Sequence, residues 1–366
     1  WFAGRGWRLR QHQADMLAVA ARGHHALLAA DTGAGKTLAG FLPTLAEFAP
    51  SALAGAQVPQ GLHTLYVSPL KALAHDVQRN LLAPIAEMGL ALRVEARSGD
   101  TPLDRKARQR ARPPHILLTT PESLALLLSY PESAALFATL RRVVVDEIHA
   151  LAGGKRGDLL ALALTRLQAM APDRPRGGRS ATRGDPQAMR AWLAPGGEAE
   201  AVALVTGEAG AAAQVDVLLP QGRRVPWSGH AASWAVPQLY EAIRAHRTTL
   251  IFTNTRFLAE YIFQLLWEAN EDHLPIAIHH GSPAPPRGAR AVPGAFVDLV
   301  VQMGAPKGSS RLLQRIGRAN HRLDCPSKAL LVPGNRMEFL ECFAACEAVA
   351  AGQRDGEAFR PGGLDV

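Results

Sequence analysis

The segment AADTGAGKTL, residues 29–38, combines two glycines, a lysine and a threonine in the order of a phosphate-binding loop. Gly33 and Gly35 permit a tight turn of the backbone, and Lys36 and Thr37 stand where a helix is expected to begin. Backbone N–H groups and the helix N-terminus would then face a polyanion, Lys36 would add a point charge, and the Thr37 hydroxyl could bind Mg²⁺. A glycine-rich turn that binds nothing is the less favoured alternative.

Two further features would complete a site for nucleotide hydrolysis. An apolar run, residues 143–145, leads directly into Asp146 and Glu147. A carboxylate at a strand end beside a phosphate loop can hold Mg²⁺, and the adjacent glutamate can accept the proton of an attacking water. Acidic pairs also occur in solvated turns, but the preceding GKT sequence favours the catalytic interpretation. Gln13 has a carboxamide that can pair with the edge of adenine, although a solvent-facing helical glutamine is an equally good interpretation.

Short apolar runs must position these residues. They alternate with helical patterns, and most of them end in small or hydroxyl-bearing residues. The first five runs are residues 26–30, 65–68, 92–96, 116–118 and 143–145. Similar runs follow at 249–252, 297–303 and 329–332. This alternation is typical of a parallel α/β sheet, whose ligands gather at the carboxyl ends of the strands. The sequence therefore predicts an α/β fold with two doubly wound parallel sheets in tandem.

Several of the predicted strand ends carry residues suited to a nucleic-acid backbone. Hydroxyl groups, amides and basic side chains at a helix start can bind phosphodiesters, but the same residues also serve as ordinary helix caps. Both interpretations stay open at each position. The candidates for nucleic-acid contact are Ser68, Lys71, Gly99, Thr120, Thr253, Asn254 and Arg256.

Composition narrows the class of protein. The 366 residues are 48% hydrophobic and 20% charged, which indicates a globular chain, and the length predicts two domains. A net charge of +8 and a pI near 9.8 favour an acidic polymer as partner. No apolar run approaches the ~18 residues of a membrane span, so no membrane partner is expected. The three cysteines favour a reducing compartment, and we expect the cytoplasm or nucleoid.

Four motifs occur together in a recognisable order. They are GAGKT at 33–37, DEIH at 146–149, SAT at 180–182 and QRIGRANH at 314–321. This set resembles the superfamily 2 helicases, in which two RecA-like domains clamp ATP between them. Longer segments, including WFAGRGWRLRQHQ, ADTGAGKTLAGFLP, TLIFTNTRFLAE and GRANHRLDCPSKALLVP, look like the large helicase-related (Lhr) family, in particular its bacterial, ligase-associated DEXH-box members.

The resemblance implies a role for each matching residue. Gln13 would read adenine, and the phosphates would lie against Thr32, Gly33, Ala34, Gly35, Lys36 and Thr37. Mg²⁺ would be held by Thr37 and Asp146, and Glu147 would activate water. Gln314 would approach the γ-phosphate, and Arg318 would be an arginine finger delivered by the second domain. The residues that would couple the nucleotide site to the second domain are His149, Ser180 and Thr182.

The function implied by the resemblance is an ATP-dependent DNA helicase or translocase. It would be an ATPase stimulated by single-stranded DNA, would move 3′ to 5′, and would unwind DNA or RNA:DNA duplexes in DNA repair, with ligase-associated repair proteins as partners. Two alternatives differ in class or substrate. One is a nucleic-acid clamp that does not hydrolyse ATP, and the other is an RNA helicase or remodeller.

The predicted organisation has a first RecA-like domain at 1–225, a second at 226–352 and the start of a linker to a winged-helix region at 353–366. Two longer segments depart from the family pattern, in addition to Asp31, where the wider superfamily usually has proline, and His321, where many relatives have a second arginine. Residues 282–295, SPAPPRGARAVPGA, stand where relatives carry a coupling motif, and residues 174–179 lack the expected apolar strand before SAT. Either the sequence skips residues near 283–293 and near Arg176, which we expect, or the protein is a degenerate remnant.

Overall fold

The computed structural model of the 366-residue chain describes residues 1–31, 33–54, 59–172, 174–180, 185–208, 210–221, 225–229, 232–278, 297–319 and 326–353. The described residues form two compact units that divide after Glu208. Within this described part of the chain, no helix has the length and apolar character needed to cross a membrane.

The first unit is built on a seven-stranded sheet in which each pairing is parallel. Its strands are β1 (His25–Ala29), β2 (Thr64–Val67), β3 (Val94–Ala96), β4 (Ile116–Thr119), β5 (Arg142–Val145), β6 (Arg176–Ser180) and β7 (Val202–Thr206), in the order β3-β4-β2-β5-β6-β1-β7. Its helices are α1 (Gln11–Ala21), α2 (Lys36–Ala54), α3 (Lys71–Glu87), α4 (Leu103–Ala111), α5 (Pro121–Ser129), α6 (Ser133–Phe137), α7 (Ile148–Leu151), α8 (Lys155–Met170) and α9 (Pro186–Leu193).

Helices cover both faces of this sheet because successive strand residues point to opposite sides. Val143 and Val145 of β5 belong to one apolar cluster, which also contains residues of α5, α8 and α9. Val144 belongs to a second cluster with residues of α2 and α3. The prediction of a doubly wound parallel sheet is therefore confirmed for this unit.

The second unit has a four-stranded parallel sheet with its own two apolar clusters. Its strands are β8 (Gln214–Val217), β9 (Thr249–Phe252), β10 (Leu299–Met303) and β11 (Lys328–Val332), in the order β8-β11-β10-β9. Its helices are α10 (Val236–Arg244), α11 (Arg256–Glu268), α12 (Ser309–Ile316) and α13 (Arg336–Ala350). Both predicted sheets are thus present in tandem along the chain.

The division between the units lies earlier than the predicted position at residue 225. Strand β8 pairs in parallel with β11, from Gln214 opposite Lys328 to Val217 opposite Leu331. Because these ladder hydrogen bonds place β8 in the second sheet, the two units divide after Glu208. Strand β8 is therefore an edge strand of the second sheet, although it lies within the range predicted for the first domain.

Strand β6 corrects the expectation that the chain lacks a strand before SAT. The sequence RGGRS forms this strand between β5 and β1, near the centre of the sheet. Gly178 fits there because a Cβ atom at this position would lie 2.4 Å from Ile148 Cδ1 and 2.7 Å from Leu193 Cδ2. The neighbouring helices fill the space that a side chain would occupy, and tertiary packing overrides the low strand propensity of glycine. Residues 283–293 lie outside the described part of the chain.

Candidate active site

The phosphate-loop sequence connects β1 to α2, as predicted. Gly33 and Gly35 have φ angles of 84° and 77°, in the left-handed region that glycine adopts without a steric cost. The Ala34 N–H donates to the Asp31 carbonyl oxygen at 3.2 Å. Helix α2 begins at Lys36, so Thr37 is its second residue. Thr32 lies outside the described residues.

Residues at the start of α1 hydrogen-bond to backbone carbonyl oxygens of this loop. Arg10 Nη1 donates to the Gly33 carbonyl oxygen at 3.3 Å, and the buried His12 places Nε2 2.9 Å from the Ala34 carbonyl oxygen. A carbonyl can only accept, so Nε2 carries the proton. Gln13 is 4% exposed, and its Oε1 accepts from the Arg10 N–H at 3.1 Å. The solvent-facing interpretation of Gln13 is wrong, and its contact with adenine stays a prediction. Sequence reasoning missed the roles of Arg10 and His12.

Lys36 lies in the same charged cluster as the acidic pair. Its Nζ donates to the Ala30 carbonyl oxygen at 2.6 Å. Burial lowers the pKa of the Lys36 ammonium, while the charges of Glu147 and Asp146 oppose that shift. The fold therefore brings the GKT and DEIH motifs together, because β1 and β5 end at the same edge of one parallel sheet.

Asp146 directly follows β5 and is buried. Its Oδ2 accepts a hydrogen bond from the Tyr66 hydroxyl and lies 2.7 Å from Arg179 Nη2, while its Oδ1 accepts from the Glu147 N–H at 3.0 Å. Burial by itself would lower the pKa of Arg179, but the charges of Asp146 and Glu147 together with the contact to Tyr66 outweigh burial, so the pKa is raised. Burial, with the Asp146 charge, raises the pKa of Tyr66 well above its ordinary value. Neither partner was identified from the sequence.

Glu147 adopts a left-handed backbone conformation, with φ 49° and ψ 47°, at the start of α7. Such a conformation costs a non-glycine residue about 1–3 kcal/mol and clusters at functional sites. His149 Nε2 lies 3.1 Å from Glu147 Oε2, and His149 Nδ1 lies 3.1 Å from Ser180 Oγ. A carboxylate only accepts, so His149 Nε2 carries a proton and donates it to the Glu147 carboxylate. The structure thus joins two of the three predicted coupling residues to Glu147; Thr182 lies outside the described residues.

The nucleic-acid candidates of the first unit all follow strands β2, β3 and β4. Lys71 Nζ pairs with the Asp100 carboxylate at 2.7 Å, next to Gly99, and both partners are largely exposed. Ser68 is fully buried, and its Oγ donates to the Leu70 carbonyl oxygen at 3.4 Å. Thr120 is also buried and caps α5, as its Oγ1 accepts from the Ser123 N–H at 3.4 Å. Their contact with nucleic acid stays a prediction.

The candidates of the second unit lie just after β9 and in or just after α12. Thr253 and Asn254 connect β9 to α11, with Asn254 Nδ2 donating to the Ala305 carbonyl oxygen at 2.9 Å, and Arg256 is the exposed first residue of α11. Gln314 on α12 and Arg318 just after it are both exposed. Their roles toward a nucleotide stay predictions.

Known proteins resemble this chain over most of its length. Residues 10–189 match the family model for DEAD/DEAH box helicases, which spans all the described residues of the candidate site in the first unit. The chain is 34% identical, over 94% of its length, to the ATP-dependent helicase Lhr-Core of Methanothermobacter thermautotrophicus. It is 31% identical, over 96% of its length, to the Lhr helicase/uracil glycosylase of Escherichia coli. The chain belongs to the Lhr helicase family.

The structural comparison extends the match through both units. The structure of Mycobacterium smegmatis helicase Lhr bound to ssDNA and AMP-PNP matches 96% of this chain with a TM-score of 0.81 and 30% identity. The helicase MrfA bound to DNA, at 22% identity and a TM-score of 0.76, shares the fold. These matches confirm the RecA-like helicase architecture. The chain spans 44% of the first Lhr-Core relative, 28% of the E. coli Lhr protein and 49% of the M. smegmatis chain.

Proposed function

We propose that this chain binds and hydrolyses ATP as the motor core of a nucleic-acid helicase. The observation that carries the proposal is the cluster formed by Lys36, Asp146 and Glu147, with Glu147 held by His149. A lysine at the start of a helix and a carboxylate pair at the neighbouring strand end are the parts that phosphoryl transfer requires. The names of the Lhr relatives support the same activity.

The proposed chemistry uses residues of the first unit. The ATP phosphates would lie on the N–H groups of the loop and on Lys36, whose ammonium already contacts a backbone carbonyl there. Glu147 would accept the proton of the attacking water, and the bond to His149 would keep its carboxylate in one orientation. The strained backbone of Glu147 would be maintained by the Asp146 carboxylate, which accepts its N–H.

The residues present also fit Mg²⁺. This ion is usually bound by one or two carboxylates together with substrate phosphates and waters, rather than by a cage of protein ligands. Asp146 offers such a carboxylate beside the phosphate loop, and Thr37 offers a hydroxyl in the first turn of α2. When bound, Mg²⁺ would neutralise charge on the phosphate oxygens.

Three further parts of the proposal rest on the family resemblance. Gln13 would recognise adenine, since it is buried beside the loop, and Thr32 would contact the phosphates. Gln314 would approach the γ-phosphate and Arg318 would act as an arginine finger. Ser180 and Thr182 would couple hydrolysis to movement, which is supported for Ser180 by its contact with His149.

We propose that the nucleic-acid partner is single-stranded DNA or an RNA:DNA hybrid and that the motor moves 3′ to 5′. The net charge of +8 supports a polyanionic partner, and the M. smegmatis Lhr structure contains ssDNA. Backbone binding of this kind is insensitive to base sequence and strongly salt-dependent. A role in DNA repair with ligase-associated proteins, in the bacterial nucleoid, follows from the resemblance and is part of the same proposal.

The primary test is ATP hydrolysis with and without single-stranded DNA. Lys36→Ala removes the phosphate-binding charge and Glu147→Gln removes the proton acceptor, so each is expected to lower kcat by about 100-fold or more. Lys155→Ala is the matched control, because Lys155 is also the first residue of a helix in the same unit but is exposed. Wild-type hydrolysis in either site variant would reject the assigned role.

A second test concerns the arginine finger. Arg318→Ala is expected to lower kcat by about 10³-fold or more, the usual contribution of such a residue to phosphoryl transfer. Arg311→Ala is its control, since Arg311 is an exposed arginine of the adjoining helix α12. Equal activity of the two variants would remove Arg318 from the mechanism.

The nucleic-acid specificity needs separate measurements. Stimulation of hydrolysis by single-stranded DNA is compared with stimulation by single-stranded RNA, and unwinding is compared on duplexes with 3′ and 5′ overhangs. The proposal expects the larger stimulation with DNA and unwinding from the 3′ overhang. Stronger stimulation by RNA would favour an RNA helicase, and binding without stimulated hydrolysis would favour a clamp.

A further inference from the structure

Arg179 is a fully buried arginine beneath the candidate metal ligand. Its side chain is 1% exposed, and its Nη2 lies 2.7 Å from Asp146 Oδ2 and 3.1 Å from the Tyr66 hydroxyl. The guanidinium also lies over the rings of Tyr66 and Phe41, at 5.2 and 5.9 Å from their centroids. The charge is therefore enclosed by aromatic rings and neutralised by one carboxylate.

The helix that carries the phosphate loop makes room for this side chain. A Cβ atom at Gly40, one turn after Lys36 on α2, would lie 2.9 Å from Arg179 Cδ. Arg179 Nε and Nη1 are buried, and among the described residues neither has a hydrogen-bond partner. An ion pair in which two buried nitrogens lack hydrogen-bond acceptors is a poor source of stability, because desolvation outweighs much of the attraction. A role in the site explains its presence better than a role in folding.

The hydrogen bonds of Asp146 show what the arginine does to this carboxylate. Oδ2 receives two donors, the Tyr66 hydroxyl and Arg179 Nη2, and Oδ1 receives the Glu147 N–H. A carboxylate has about four lone-pair sites, so about one remains, on Oδ1. A cation that approaches Asp146 therefore finds its negative charge already paired and a single oxygen available.

We propose that Arg179 is a positioning residue that prevents Asp146 from binding a divalent cation by itself, so that the cation is held only together with the nucleotide phosphates. The proposal rests on the nucleotide-binding function proposed above. The buried guanidinium repels a second cation through a medium that screens charge poorly, whereas the phosphates supply the negative charge and the oxygen ligands that are lacking. Arg179 thereby sets the order in which the ligands bind.

The test measures Mn²⁺, a spectroscopic substitute for Mg²⁺, by electron paramagnetic resonance on the purified chain without nucleotide. Arg179→Met is expected to bind Mn²⁺ about tenfold more tightly than the wild type, because the opposing charge is removed. Arg176→Met is the matched control: Arg176 is a buried arginine of the same strand, but its guanidinium contacts the Leu164 and Leu193 carbonyl oxygens. This control should bind Mn²⁺ as the wild type does.

The same titration with saturating AMP-PNP measures the coupling between the two ligands. The wild type should bind Mn²⁺ much more tightly when the nucleotide is present. In Arg179→Met this enhancement should be about tenfold smaller, because the variant already binds Mn²⁺ more tightly without the nucleotide. Wild-type protein that binds Mn²⁺ equally well with and without AMP-PNP would overturn the proposal without any variant.

Two more substitutions separate charge from structure. Arg179→Gln is neutral but keeps an amide donor for Asp146, and it should show the tighter Mn²⁺ binding even if the methionine variant does not fold. Arg179→Lys keeps the charge and should restore weak binding. Wild-type affinity in both folded neutral variants, or tight binding by the lysine variant, contradicts the proposal. Failure of the wild type to bind AMP-PNP at all would instead reject the proposed nucleotide function.

Discussion

Adding one methyl group to β6 should distinguish its two adjacent glycines. In Gly178→Ala the new Cβ would lie 2.4 Å from Ile148 Cδ1, 2.7 Å from Leu193 Cδ2 and 3.1 Å from Leu27 Cδ1. In Gly177→Ala the nearest atom would be the Val143 carbonyl oxygen at 3.7 Å, which is an ordinary contact. Both residues lie in the same strand, so Gly177→Ala is the matched control.

The two substitutions are expected to change the free energy of unfolding differently. Overpacking of a filled core costs about 1–3 kcal/mol. Replacing glycine by alanine in a permitted backbone conformation stabilises by about 0.4–1 kcal/mol through the unfolded state. Gly178→Ala should therefore be destabilised by up to about 2.5 kcal/mol, whereas Gly177→Ala should be unchanged or slightly stabilised. For a unit of this size, each kcal/mol shifts Tm by about 2–4 °C.

Thermal unfolding followed by circular dichroism measures this difference, and ATP hydrolysis is a second measurement. Ile148 directly follows Glu147, so displacement of Ile148 should also move the Glu147 carboxylate and lower kcat in Gly178→Ala only. The reasoning would be refuted if Gly178→Ala unfolded at the temperature of Gly177→Ala, because the space beside Gly178 would then be able to accept a methyl group.

Three other predictions follow from single residues. Ser180→Ala removes the hydrogen bond between Ser180 and His149. Because such a bond contributes about 0.5–1.5 kcal/mol, kcat for ATP hydrolysis should fall about 2- to 10-fold. An unchanged kcat would argue against coupling through this bond. Burial raises the pKa of Cys342 to about 12, so little reactive thiolate is present at pH 8. Iodoacetamide should therefore alkylate Cys342 slowly until the protein is denatured, as measured by mass spectrometry of its peptide. Rapid labelling of the native protein would contradict this. Burial favours a higher pKa for Glu47, but the bond to His63 and the charge of Arg142 outweigh it, so the pKa is lowered. A lowered carboxyl pKa contributes stability that is present above the unfolded pKa and is lost as the pH falls through the folded value. The Tm of Glu47→Gln should therefore fall less on acidification than the Tm of the wild type. Parallel curves of Tm against pH for the two proteins would disprove the contribution.

The sequence alone was sufficient to predict the elements whose conformation depends on residues close by in the chain. The glycines at 33 and 35 adopt the positive φ angles that the loop requires, and α2 begins at Lys36 as predicted. Apolar runs such as residues 143–145 identified strands, because burial on both faces of a parallel sheet leaves a continuous apolar signal. The same regularity predicted that the strand ends, and with them Lys36 and Asp146, meet at one edge of the sheet.

Tertiary structure decided what depends on residues far away in the chain. RGGRS has neither the periodicity nor the propensity of a strand, and it becomes β6 because Ile148 and Leu193 fill the space beside Gly178. The burial of Arg179 against Asp146 depends on room left by Gly40, which no local pattern reports. Strand β8 joined the second sheet because its ladder partner is β11. Propensity describes a residue's preference for its own backbone, whereas partners across a sheet or core are chosen by packing, hydrogen bonds and charge.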